Sequence, residues 1–180
     1  VYTGFFNSYK QIDYICDYLK DKNVKLFVDP VLGDNGNRFK CFDDDYQKSL
    51  KKLVDMADYI SPNLTEACLL TDSNINEDLV EIIKKFKNKK VVITSIHKDN
   101  KIGYLIKDDD EIFHILNNKV KDELHGTGDV FASFLCAKMI QTNNFSESVI
   151  HAAKKTNDCI TATLKEKGHS IYGLNFENII

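Results

Sequence analysis

"VKLFVDP", Val24 to Pro30, is a nearly continuous apolar run stopped by a proline. A strand with one wet face alternates apolar and polar residues. A run without alternation fits a strand covered on both faces, as parallel strands are. Upstream, Ser8-Tyr9-Lys10-Gln11 has the Ser-x-x-Gln form of a capping box, and Ile12, Ile15, Cys16 and Leu19 follow at helical spacing. Downstream, a turn-rich "GDNGNRFKCFDD" leads to a helix marked by Tyr46, Leu50, Leu53, Val54 and Ala57. "ADYISPN" is a second short strand with a helix from Asn63, and a further helix runs from about Asn76 with Leu79, Ile82, Ile83 and Phe86 on one face.

"KVVITSI" is the most strand-like segment, with Val91, Val92 and Ile93 β-branched. "IGYLIK" and "EIFHIL" flank Asp108-Asp109-Asp110 as the arms of a hairpin. Two helices close the chain, one after Gly128 and one from about Ser146 through Leu164. Strands alternating with helices predict an α/β domain with a largely parallel sheet, spanning residues 1–180 as one domain.

The 180 residues are 43% hydrophobic and 28% charged, a globular rather than a disordered composition. A net charge of -3 offers no basic field for nucleic acid or an anionic membrane, and no apolar run reaches the length of a membrane span. Five widely spaced cysteines, with no CxxC pair, fit reduced thiols and a cytoplasmic location. Cys16, Cys68 and Cys159 fall at helical apolar positions, which predicts burial. The histidines, at 97, 114, 125, 151 and 169, lack zinc-ligand spacing.

Parallel sheets gather ligands at the carboxyl ends of their strands, and the unusual polar residues fall there. Asp29 ends "LFVDP" and Asp34 follows in "DPVLGD"; two carboxylates suit Mg²⁺, and equally suit two plain turns. In "SPNLTEA", Asn63 and Glu66 stand three apart at a helix start, either as a cap answered by its partner or as oxygen donors toward a hydrated magnesium. Thr94-Ser95 ends "VVITS" with two hydroxyls, which serve phosphate oxygens or close a strand locally.

The fourth end is "HGTGDVFASFL", His125 to Leu135. Gly126 and Gly128 let backbone N–H groups converge without Cβ obstruction, and the helix behind them adds partial positive charge. Asp129 sits in the first turn, where a carboxylate repels an arriving phosphoryl group unless it takes a proton from the nucleophile. A capped helix is the plainer alternative. Taken together, four such ends describe phosphoryl transfer, in which positioning and charge neutralisation do most of the work. Neither a Walker A pattern nor the protein-kinase motif set occurs.

In order, "YTGFF", "VDPVLGD", "SPNLTEA", "VVITS" and "HGTGDVFAS" resemble the pyridoxal kinases of the ribokinase-like superfamily, over nearly the whole chain and including the terminal "YGLNFENII". The second aspartate, Asp34, favours them over hydroxymethylpyrimidine kinases, the nearest rival. The resemblance implies a three-layer α/β/α fold and ATP-dependent phosphorylation of the 5′-hydroxymethyl group of pyridoxal, pyridoxine or pyridoxamine. Asp129 would be the base, and Gly126, Thr127 and Gly128 would hold the charge on the transferred phosphoryl. Asp29, Asp34, Ser61 and Asn63 would organise Mg·ATP, with Glu66, Asn63 and Asp29 toward the metal and Thr94 and Ser95 on the phosphates. Phe39 takes the place of a tyrosine over the nucleotide, without its hydroxyl; Phe5 falls beside the pyridine ring. A monovalent cation such as K⁺ and a homodimer are further family expectations.

Family members carry an additional N-terminal segment with several strands and most contacts to the vitamin. The resemblance therefore implies that this chain is the C-terminal, ATP-binding portion. A catalytically inactive Mg·ATP-binding fragment is the alternative expectation.

Overall fold

The computed structural model describes residues 1–118, 124–165, 173–177 and 179. His169, Tyr172, Asn178 and Ile180, which carry parts of the histidine and terminal-motif readings, lie outside the described residues. The elements are β1 (Tyr2–Thr3), α1 (Tyr9–Leu19), β2 (Phe27–Val28), β3 (Gly33–Asp34), β4 (Asn37–Arg38), α2 (Asp44–Met56), β5 (Tyr59–Ile60), α3 (Leu64–Thr71), α4 (Leu79–Lys84), β6 (Lys90–Lys98), β7 (Lys101–Asp108), β8 (Glu111–Asn118), α5 (Thr127–Thr142) and α6 (Phe145–Lys165).

The main sheet runs β1-β2-β5-β6-β7-β8. Its first four strands pair in parallel. The two-residue links from β6 to β7 and from β7 to β8 make those neighbours antiparallel hairpins. Asp99 and Asp109 adopt φ of 54° and 53° in these turns, a left-handed region that aspartate tolerates better than most side chains. The fold is α/β with a mostly parallel central sheet, as read from "VKLFVDP". Leu26, Phe27 and Val28 are all buried, so the run lacks alternation because both faces are covered.

By contact the chain divides into two compact units, Val1–Ile96 with Leu105–Phe113, and His97–Tyr104 with His114–Ile180. The core of the first joins Ile12 of α1, Leu50 and Leu53 of α2, Ile82 and Ile83 of α4, and Val28, Ile60, Val91 and Ile93 of the strands. The amphipathic spacing of α2 buries Tyr46, Leu50, Leu53 and Val54 together. Asp43 caps that helix by accepting from Tyr46 N at 2.8 Å. In the second unit, Leu135 of α5 and Phe145, Val149, Ala152 and Cys159 of α6 are buried, and Tyr104 stacks on Phe131 with ring centres 4.6 Å apart.

Two local expectations change. Ser8 begins α1 without a side-chain cap; Gln11 Oε1 instead accepts from Asn7 N at 2.8 Å. α4 begins at Leu79 rather than near Asn76, because Asp78 accepts from Val80 N and Glu81 N and sets the start there. Cys68 and Cys159 are buried as expected, Cys16 only half so.

Candidate active site

In the first unit, strand register decides which side chains share a face. Phe27 pairs with Tyr59, Tyr59 with Lys90, and the same register continues to an isolated bridge between Asn63 and Thr94. Alternation along each strand then puts Asp29, Ser61, Asn63 and Thr94 on one face at the carboxyl ends. Backbone bonds hold this edge: Asp29 N donates to Thr3 O at 2.8 Å, Ser61 N to Val28 O at 3.1 Å and Thr94 N to Pro62 O at 2.9 Å. Ser61 is 5% exposed and its hydroxyl has no partner among the described residues. A buried polar atom without a partner is uncommon and calls for a reason.

Of the two readings of "SPNLTEA", the capping box is the geometry present. Asn63 Oδ1 accepts from Glu66 N at 2.9 Å, and Glu66 Oε2 accepts from Asn63 N at 2.8 Å. The arrangement extends further than a cap. Glu66 Oε1 accepts from Leu32 N at 3.0 Å, Asn63 Nδ2 donates to Gly33 O at 2.9 Å, and Gly36 N donates to Thr65 Oγ1 at 2.8 Å. The first turn of α3 thus clamps the loop that carries Asp29 and Asp34. Burial pushes the Glu66 carboxyl up to about 8, with the Asp29 charge adding and the Asn63 and Leu32 amides opposing.

The turn-rich segment contains a hairpin that periodicity alone did not show. Gly33 and Asp34 pair with Arg38 and Asn37 around Asn35-Gly36, whose φ values are 51° and 79°. The signal was the Asn-Gly dipeptide, the commonest two-residue hairpin turn. Gly33 is required by close approach, since a Cβ there would lie 2.4 Å from Asn37 O. Asp34 is exposed, and its Oδ1 accepts from Asn35 N at 2.8 Å.

Ser95 is exposed and takes φ 57°, just after the bridge at Thr94. Every other non-glycine residue with positive φ among those described is Asn or Asp. A serine held there is locally strained, a feature that clusters at functional sites. Phe5 and Phe39, both exposed, each lie against Phe42, with ring centres at 5.9 and 6.2 Å, and Phe42 stacks on Tyr46 at 3.8 Å. Phe42 is not legible in the sequence, since an aromatic two places before an aspartate-rich helix start carries no signal of its own.

In the second unit, Gly126 caps α5 with φ 80°, a conformation that costs any other L-residue. A Cβ at Gly126 or Gly128 would meet nothing within 4 Å. The glycines are therefore not packing residues; they leave the backbone of the first turn open. The amides of a helix's first turn have no intrahelical acceptor, so this end can receive an anion. Asp129 is exposed in that turn, and its carbonyl accepts from Ser133 Oγ at 2.7 Å. His125 is exposed beside it.

Among the described residues, no three His, Cys, Asp or Glu gather to hold a metal, and no helix is long and apolar enough to cross a membrane. Magnesium asks for less than such a cluster, because it keeps several waters and shares one or two carboxylates with substrate phosphates. Asp29, with the unpartnered Ser61 hydroxyl on the same face, fits that requirement.

The family model for phosphomethylpyrimidine kinase matches residues 1–174. A pyridoxal kinase of Dictyostelium discoideum is 33% identical over 157 residues, covering 75% of this chain and 52% of its own length. The crystal structure of pyridoxal kinase from Lactobacillus plantarum superposes with a TM-score of 0.89 at 25% identity, covering 99% of this chain and 68% of that one. A putative phosphomethylpyrimidine kinase from Bacteroides thetaiotaomicron, crystallised with pyridoxal, gives 0.86 at 27% identity, covering 99% and 68%. The chain spans about half the length of the curated pyridoxal kinases it matches first.

Proposed function

The chain belongs to the phosphomethylpyrimidine kinase family, and on that footing we propose that its protein transfers the γ-phosphoryl of ATP to the 5′-hydroxymethyl group of pyridoxal, yielding pyridoxal 5′-phosphate. The observation that carries this reading is an open helix start, headed by left-handed Gly126, with an exposed carboxylate in its first turn. Asp129 takes the proton from the substrate alcohol as its oxygen attacks. The backbone N–H groups of Gly126, Thr127 and Gly128 receive the negative charge on the transferred group.

The first unit supplies the nucleotide set. Asp29 and Asp34 are the carboxylates toward magnesium, with Asn63 beside them, and the ion when bound neutralises phosphate charge. Thr94 and Ser95 donate to phosphate oxygens, and Ser61 turns its unpartnered hydroxyl to the same ligand. Glu66 serves from behind: with both oxygens on backbone amides, it holds the Asp29–Asp34 loop rather than the metal. Phe5 and Phe39, both exposed and each against Phe42, serve the substrate ring and the nucleotide respectively.

A second reading has its own support. The matching family model is named for a pyrimidine substrate, and the Bacteroides relative so described was crystallised with pyridoxal. Steady-state phosphorylation of pyridoxal and of hydroxymethylpyrimidine by the full-length gene product separates the two by kcat/KM. Preference for pyridoxal supports the first reading. Nucleotide binding without transfer to either alcohol reduces the chain to a Mg·ATP-binding unit.

A further inference from the structure

Strand register brings Tyr2 to Asp29. Tyr2 pairs with Phe27 across the parallel β1–β2 ladder, and Asp29 lies two residues beyond Phe27, so alternation returns it to the same face. The Tyr2 ring stands edge-on to Phe27, with centres 5.4 Å apart, and its hydroxyl donates to Asp29 Oδ2 at 3.0 Å. The Asp29 amide is tied to the same strand through Thr3 O at 2.8 Å. β1 therefore holds Asp29 by backbone and by side chain together.

The terminal torsion of an aspartate is broad, so a carboxylate with no side-chain donor swings between orientations. A donor on one oxygen settles that rotation before any ligand arrives. Resting on the reading of Asp29 as a member of the metal–nucleotide set, we propose that Tyr2 is a positioning residue, which fixes the Asp29 carboxylate for a divalent cation without touching the cation itself. The exposed ring costs the fold little, because Phe27 is buried on its own account. The hydroxyl is the part with a task.

Tyr2→Phe keeps the ring against Phe27 and removes only that donor. Calorimetric titration of ADP, with Mg²⁺ and with chelator, reads the effect without requiring turnover. Outer-shell partners of metal ligands are typically worth about 10- to 100-fold in metal affinity. The expected result is Mg·ADP binding weakened by about 10-fold, with metal-free ADP binding and melting temperature unchanged. In an Asp29→Asn background, Tyr2→Phe adds no further loss. Unchanged Mg·ADP affinity, an equal loss with and without Mg²⁺, or an additive loss in the double variant overturns the proposal. If the unaltered protein binds ADP equally with and without Mg²⁺, the assignment of Asp29 itself falls, an outcome distinct from the other three.

Discussion

The loop clamped by α3 and the loop that opens α5, the two loops of the proposed phosphoryl site, are built by opposite means. Around Asn63 and Glu66, polar groups are committed: one carboxylate oxygen, one side-chain amide and one hydroxyl each hold a backbone group of the neighbouring loop, and the second carboxylate oxygen closes the cap on Asn63 N. At Gly126 and Gly128 side chains are absent, Asp129 is exposed, and the conformation comes from one glycine at φ 80°. The contrast fits a division of labour. A group that must hold a charged ligand in fixed geometry is best set in advance by a network, whereas one that meets a moving proton and phosphoryl must stay approachable.

The sharpest break in that contrast is Asp129→Asn in the full-length protein. As the proposed base it should cost about 10²- to 10⁴-fold in kcat, while ADP affinity by calorimetry stays near the unaltered value. Near-normal turnover would leave the α5 loop as a capped helix and nothing more. Next in size is Gly126→Ala, which forces an alanine into a left-handed conformation at a cost of about 1–2 kcal/mol. Chemical denaturation should report that loss, and turnover should fall further than stability does, because the open amides shift with the backbone.

On the clamped side, Glu66→Gln tests a pH dependence. The Glu66 carboxyl, lifted by burial from 4.5 to about 8, holds its proton more tightly in the folded chain than in the unfolded one. Its contribution is fully present below the unfolded value and is lost as pH rises toward 8, so stability falls across that window. The glutamine should flatten the slope, read as denaturation midpoints at several pH values. It should also lower stability at acid pH by about 1–2 kcal/mol, since one of the two amides loses its acceptor. The smallest effect is expected at Ser95. Ser95→Gly relieves a left-handed serine and should raise stability by roughly 0.5–1 kcal/mol, while Mg·ADP binding weakens through the lost hydroxyl. Unchanged binding would remove Ser95 from the phosphate set.

Legibility followed the range of the signal. The α/β class came from "VKLFVDP" and "KVVITSI", whose apolar continuity is a local consequence of being covered on both faces. The GTGD loop was legible because glycine and aspartate declare backbone freedom and helix charge at the residue itself. The Asn35-Gly36 hairpin has a local signal in its dipeptide, although its two-residue strands are too short to show a periodicity. Glu66 was harder: "SPNLTEA" admits a cap and a metal ligand alike, and nothing local says that Leu32 will bring an amide to its second oxygen.

By itself, the sequence determined where strands and helices alternate, which strand ends carry polar groups and where the chain can turn left-handed, because these depend on neighbours a few residues away. Only the tertiary structure decided that Tyr2 reaches Asp29, that Glu66 closes on Leu32 and that Ser61 is buried with no partner among the described residues. Those facts depend on the register between strands distant in the chain, and register is set by the packing of the whole sheet rather than by any one stretch of it.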